Sequence, residues 1–155
     1  METELKEEIE QTVPFDSLEQ EVFLNALRTA AKLEHQLADG LKPHGLTLTQ
    51  YNALRILRGA GPEGLCRNDV QDRMLTPVPD VTRLLDRLEE AGFVVRERDE
   101  ADRRYVMAKI TGEGMDLLEE LDGPVQALHR DQLGHMSASE LRTLSRLLEK
   151  ARAHA

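Results

Sequence analysis

Between Val81 and Ile110 the spacing of apolar residues changes period once, and no other feature of this 155-residue chain restricts its fold as strongly. Val81, Leu84, Leu85 and Leu88 recur at helical spacing. From Phe93 onward β-branched and aromatic residues take over, and 93–98 and 104–110 read as strands. The polar residues 99–103 between them are the turn of a hairpin. A helix that runs directly into a short two-stranded ribbon cannot belong to a plain helical bundle. It also cannot belong to a parallel sheet, whose strands need long crossovers.

The flanking segments read as helices with legible ends. Ser17-x-x-Gln20 fits a capping box, and Ala26, Ala30, Leu33, Leu37 and Leu41 follow it in one stripe. Gly40 and Pro43 close that helix. Thr47-x-x-Gln50 opens a second, with Tyr51, Leu54 and Leu57 inward, and the turn chemistry of 59–64 stops it. A short helix is expected over 67–75, on Val70 and Met74. The segment 76–80, TPVPD, is expected to supply the first turn of the next helix, where proline lacks no needed N–H and Asp80 suits the helix dipole. Gly92 ends it. Thr111 starts a long helix through Met115, Leu118, Leu121, Val125 and Leu128, which Gly123-Pro124 is expected to kink. Ser137-x-x-Glu140 caps a final helix with Leu141, Leu144, Leu148 and Ala151 on one side. The predicted fold is mainly α with a small β-hairpin wing. Its centre, 45–111, is a helix-turn-helix followed by that wing.

Length predicts one domain, 15–155, behind an acidic N-terminal extension, 1–14. The extension is expected to be a partly ordered tail or a helical arm. The formal net charge of −9 argues against a uniform polyanion-binding surface. Its distribution is uneven. Residues 1–22 hold eight acids and one base, whereas 23–110 hold 14 bases and 13 acids. The middle is therefore balanced, with its arginines late. One cysteine excludes an intramolecular disulfide and points to a reducing, cytoplasmic setting. The acidic start is unlike a signal peptide, and no apolar run is long enough to span a membrane.

Four stretches carry a resemblance: GLTLTQYNAL at 45–54, DVTRLLDRLEEAG at 80–92, DEADRR at 99–104 and ITGEG at 110–114. In this order and spacing the chain resembles the MarR family of winged helix-turn-helix transcriptional regulators. The resemblance covers roughly residues 15–152. It implies a homodimer on a pseudo-palindromic operator in double-stranded DNA, with a recognition helix in each major groove and a wing at each minor groove. It also implies that 15–42 and 112–153 form the dimerisation helices. Many members are repressors relieved by a small phenolic or lipophilic ligand, and some sense oxidants or metals.

With Val81, Leu84, Leu85 and Leu88 inward, Pro79, Thr82, Arg83 and Asp86 lie opposite on the recognition helix, and Arg87 joins Thr76, Pro79, Thr82 and Arg83 as a candidate DNA contact. Arg83 can read a guanine edge and Thr82 a phosphate or thymine methyl. Thr76 can meet a phosphate. Pro77 and Pro79 depart from the family, which tends to be polar there, so that turn presents fewer donors. The wing offers Arg96, Arg98, Arg103 and Arg104. In the family an Asp-x-Arg pair, here Asp102 and Arg104, holds the wing, and arginine enters a narrowed minor groove. Arg96 and Arg98 alternate on one strand face, either toward the DNA backbone or toward solvent. The dimer interface is expected from Leu18, Val22 and Phe23 together with Leu141, Leu144 and Leu148. A ligand crevice is expected among Leu33, Leu37, His44, Tyr51 and Met115.

Other chemistry finds little support. Cys66 is expected at the start of the third helix as an ordinary small residue. The histidines form no i,i+4 pair and no Cys/His cluster, so no metal site and no cofactor are expected. No phosphate loop or nucleophile elbow suggests an enzyme. A second reading stays open. The −9 charge, the acids of the wing and the prolines before the recognition helix also suit a winged-helix module that binds another protein and not DNA.

Overall fold

The computed structural model describes residues 4–155. Its elements in chain order are α1 (Leu5–Glu8), α2 (Leu18–Leu41), α3 (Leu48–Ala60), β1 (Leu65–Cys66), α4 (Arg67–Arg73), α5 (Val81–Glu90), β2 (Val94–Arg98), β3 (Val106–Ile110), α6 (Gly112–Leu133) and α7 (Ala138–Arg152). A 3-10 turn, Lys42–His44, follows α2.

The polar signals of the sequence do set the helix ends. The Thr47/Gln50 and Ser137/Glu140 boxes are both complete, each side chain reaching the other residue's backbone N–H. The Ser17 hydroxyl accepts from Gln20 N–H, but the Gln20 amide reaches past it to the N–H of Asp16. Each such cap is worth about 1 kcal/mol. At the start of α5 the outcome differs from expectation. Asp80 is itself the N-cap, its carboxylate accepting from Arg83 N–H at 2.9 Å. Pro77 and Pro79 therefore lie outside the helix, in the segment leading to it. Pro124 lies inside α6, which runs unbroken from Gly112 to Leu133.

The sheet has three strands, not two, in the order β1-β3-β2, all antiparallel. Val94 faces Ile110 and Arg98 faces Val106, so the wing's turn spans 99–105 and Arg104 belongs to it. Leu65 and Cys66 pair with Ala108 and Met107. Two residues carry no periodicity, which hid this strand. Gly64 allows it. Its φ is +71°, and a Cβ there would strike the Ala108 carbonyl. Cys66 thus serves as strand residue and N-cap of α4 together.

The core is one cluster from Leu41 to Val125. It is built on Leu54 and Leu57 of α3, Val70 of α4, Leu84, Leu85 and Leu88 of α5, Val94 and Ala108 of the sheet, and Leu118 and Leu121 of α6. Arg58 and Asp122 add a two-bond ion pair between α3 and α6, at 2.9 and 3.0 Å. The terminal helices contribute little to this core. In α2 only Leu41 is buried, and in α7 no residue is. Ala26 and Ala30 of the predicted α2 stripe are exposed. The described part of the extension, 4–14, includes one helical turn, with Leu5 buried and Glu8 3.6 Å from Arg28 of α2. Among the described residues no helix is long and apolar enough to cross a membrane.

Candidate nucleic-acid interface

Helix α5 buries Val81, Leu84, Leu85 and Leu88 and leaves Thr82, Arg83 and Arg87 exposed on the other side. Thr76 and Pro79, in the preceding segment, are exposed as well. The geometry follows from the 3.6 period, because four apolar positions fix which way the rest must point. Folding adds two residues that the sequence alone did not single out. Arg67, at the first turn of α4, donates to the Thr82 hydroxyl at 3.3 Å. Arg67 and Asn68 line one side of a cleft of about 380 Å³ between α5 and the wing, with Thr82, Arg96, Arg104 and Tyr105 on the others. The packing of α4 on α5 creates this neighbourhood, and no local motif announces it.

The wing arginines have separate fates. Arg104 forks onto Asp102, with Nε 2.9 Å from Oδ1 and Nη2 2.6 Å from Oδ2, while its side chain stays 85% exposed. This guanidinium, helped by the Arg104 backbone N–H, holds the Asp102 carboxyl below the usual carboxylate range. Arg98 donates to the Arg103 carbonyl at 2.8 Å, stiffening the turn. Arg103 itself is exposed. Arg96 departs from both expectations held for it. It reaches neither outward nor into solvent but back onto α5, where it bonds Asp86 and Glu89. Two acids one turn apart on α5 lie opposite that strand position, and Arg98 lies beyond their reach.

A second cavity, of about 690 Å³, opens between α2, α3, α6 and the segment before α5. Leu33, Leu37 and Tyr51 line it, with Leu48, Ile56 and Leu75. His44 and Met115 do not line it. His44 is exposed on the 3-10 turn at the end of α2, and Met115 sits in the first turns of α6. Sequence neighbourhood suggests both for the crevice, but α2 and α6 approach each other elsewhere. Gln132 of α6 donates to the Leu33 carbonyl at 3.1 Å and to Gln36 at 2.9 Å. Arg55, Arg73 and His129 supply polar groups at the cavity wall. Leu75 is 86% exposed, and its N–H is held by the Asn52 amide oxygen at 2.9 Å.

Among the described residues no group of three His, Cys, Asp or Glu side chains could hold a metal ion. What the geometry defines is a winged helix-turn-helix: a capped helix with a polar outer face, flanked by a hairpin whose tip carries arginine. Comparison with known proteins specifies the class further. Residues 44–104 match the model of the MarR family. The chain is 34% identical to the HTH-type transcriptional regulator YkoM of Bacillus subtilis, over 86% of this chain and 83% of that one. A MarR transcription factor from Planctomyces limnophilus is 41% identical, with a TM-score of 0.67 over 88% of this chain and 98% of its own. A mutant MarR from Escherichia coli, solved with operator DNA, is 28% identical with a TM-score of 0.76, over 88% and 99%. The chain belongs to the MarR family of transcriptional regulators.

Proposed function

We propose that this protein is a cytoplasmic homodimeric repressor that reads a pseudo-palindromic site in duplex DNA. One observation carries the reading: Thr82, Arg83 and Arg87 stand exposed on α5, on the side away from its buried stripe, beside a wing that presents Arg103 and Arg104. Arg83 offers two donors to guanine O6 and N7, worth about 1–3 kcal/mol of discrimination. Thr76, Thr82, Arg67 and Arg87 are placed for phosphates, which fix register. Pro79 shapes the approach to the groove. Arg103 is the wing's groove residue, with Asp102–Arg104 holding its turn and Arg98 bracing it. The likeness to a MarR solved with operator DNA supports the same reading.

Two copies associate through Leu18, Val22 and Phe23 of α2 and Leu141, Leu144 and Leu148 of α7. Most of these are exposed in a single chain, with Leu18 at 71% and Phe23 at 60%. Such a face on two helices exceeds the scattered apolar exposure of a monomer, and a two-fold reader needs half-sites one DNA turn apart. The cavity lined by Leu33, Leu37 and Tyr51 takes a small lipophilic or phenolic ligand. It touches both the dimer helices and the segment before α5, so its occupancy can shift one against the other.

Fluorescence anisotropy against DNA from upstream of the protein's own gene tests this, over a salt series with random-sequence competitor. Competitor-resistant binding that weakens steeply with salt is the expected result. Arg104→Ala is expected to weaken it by releasing the wing turn. Binding with no preference over random DNA across a genomic fragment library would overturn the reading. A protein partner would then be the better candidate, since Arg96 and Arg104 already have carboxylate partners.

A further inference from the structure

We infer that Arg96 is a positioning residue. Through Asp86 and Glu89 it fixes the angle between the wing and the recognition helix, and so governs DNA selectivity without touching DNA. The inference rests on the DNA-binding reading above and deepens it.

Three observations converge. First, the Arg96 guanidinium joins the Asp86 and Glu89 carboxylates of α5, with Nη2 on Asp86 Oδ1 and 3.0 Å from Glu89 Oε1, and Nε 3.5 Å from Glu89 Oε2. Second, Glu89 Oε2 also accepts the backbone N–H of Arg96 at 3.0 Å. β2 is an edge strand, paired only with β3, so this carboxylate occupies a free edge N–H that sheet pairing leaves open. One acid thus grips the strand by main chain and side chain together. Third, the space beyond the pin is not packed. The cleft of about 380 Å³ separates the outer wing from α5, with Arg96 among its lining residues. At the pin the Arg96 side chain is only 24% exposed. The Arg96 guanidinium also holds the Glu89 carboxyl below its usual range, helped by the Arg96 N–H.

The lever arm gives the pin its importance. Strand residues rise about 3.3 Å each, so the tip near residue 101 lies roughly 16 Å beyond Arg96. A tilt of about 10° at the pin then moves the tip by about 3 Å on that rise. That displacement exceeds the tolerance of a hydrogen bond between Arg103 and a groove. The pinned and freed wings keep the same charges on offer, so nonspecific attraction is the same for both.

The test uses the full-length protein and duplexes that the wild type selects from a random-sequence pool. Affinity for a selected duplex and for a random one is measured across a salt series, for wild type, Arg96→Met, Glu89→Gln and Arg103→Ala. Arg96→Met is expected to bind the selected duplex about tenfold more weakly, the worth of one specific hydrogen-bonded pair. It should lose less on the random duplex, where only the removed charge and the two uncovered carboxylates count, and keep the wild-type salt slope because no phosphate contact is lost. Glu89→Gln, which removes no cation, should move the same way by less. Arg103→Ala should weaken both duplexes and lower the slope by about 0.9 for each phosphate it no longer neutralises. A slope that falls in Arg96→Met, with both duplexes weakened alike, overturns the inference, because Arg96 then meets phosphate. Wild-type affinity of Arg96→Met for the selected duplex overturns it too. A fold defect would lower the active fraction for both duplexes equally, so the ratio between them is the deciding quantity. If Arg96→Met does not fold, Glu89→Gln decides alone: lost selectivity at constant slope supports the pin, and full selectivity overturns it. If the wild type selects no duplex at all, the DNA-binding reading fails first and the inference falls with it.

Discussion

Helices α5 and α7 are written in the same code and folded to opposite ends. Each opens on a side-chain cap, Asp80 for one and Ser137 for the other, and each repeats leucine at steps of three and four. In α5 the stripe is buried, with Leu88 at 0% exposure. In α7 nothing is buried, and Leu144, Leu147 and Leu148 remain between 37% and 46% exposed. Periodicity specifies that a helix has an apolar side and says nothing about what covers it. For α5 the cover is α3, α4 and the sheet. For α7 no described element supplies a cover; the proposed second copy would, and the exposed Leu18, Val22, Phe23 and Leu27 of α2 are the apolar surface available for it.

The comparison breaks most sharply at the terminal helices. Phe23→Asp combined with Leu148→Asp is expected to yield a monomer in sedimentation velocity. Apparent DNA affinity should fall by about 10²–10⁴, the gain that linking two half-site readers confers. A dimer that persists at micromolar concentration would show that the apolar faces of α2 and α7 serve another purpose.

A pair of truncations sharpens the contrast. Leu88→Ala should cost about 2–5 kcal/mol, since it empties a site with no room to collapse. That is on the order of 10 °C in melting temperature for a domain of this size. The shift should not depend on protein concentration. Leu147→Ala removes the same atoms from an exposed position, so its cost should rise where the dimer population matters and vanish in dilute monomer. Thermal melts at two protein concentrations separate them. Equal, concentration-independent losses would mean that α7 packs within its own chain.

The same contrast explains how much of the molecule is legible in its sequence. Capping boxes and leucine stripes are local, and they place the starts of α3, α6 and α7 within a residue or two, whereas α5 begins at Val81, after the segment 76–80 expected to form its first turn. The exposed face of α5 follows from its four buried positions. Long-range geometry is not legible. Arg96 and Arg98 look equivalent because alternation records a strand face and not the two acids that await one of them across the cleft. Arg67 and Arg55 acquire their neighbours only when α4 meets α5 and α3 lines the cavity. β1 escapes notice because two residues cannot show a period. His44 and Met115 look suitable for the cavity in sequence, but its α6 wall comes from the far end of that helix, at His129, Gln132 and Leu133, and its α2 wall from Leu33, Glu34 and Leu37.

Between helix and wing, the difference is of kind. Arg83→Ala should cost about 1–3 kcal/mol on a cognate site and relax the preference at one base pair, leaving nonspecific binding nearly intact. Arg103→Ala should weaken all sequences more evenly and flatten the salt dependence. A selection from random duplexes with each variant reads both effects. An unchanged base preference in Arg83→Ala would remove that residue from direct readout.

The smallest effect concerns the tie between α3 and α6. The Arg58 guanidinium holds the Asp122 carboxyl below the usual range, so the pair stabilises the fold while Asp122 is ionised. Asp122 is 45% exposed, so solvent screens the pair, and its worth is on the order of 1 kcal/mol even with two bonds. A carboxyl whose folded pKa is depressed gives its full stabilisation above the unfolded value, near 3.9, and loses it as pH falls through the folded value. Asp122→Asn should therefore melt about 2–4 °C below wild type at pH 7. The gap should close as pH drops below about 4, where wild type gives up the same contribution. Glu89 and Asp102 shift in the same direction, so wild type itself should weaken over that window. Melts from pH 7 to pH 3 measure both quantities. A gap that stays constant or widens toward acid would show that Asp122 supports α6 through packing and not through charge.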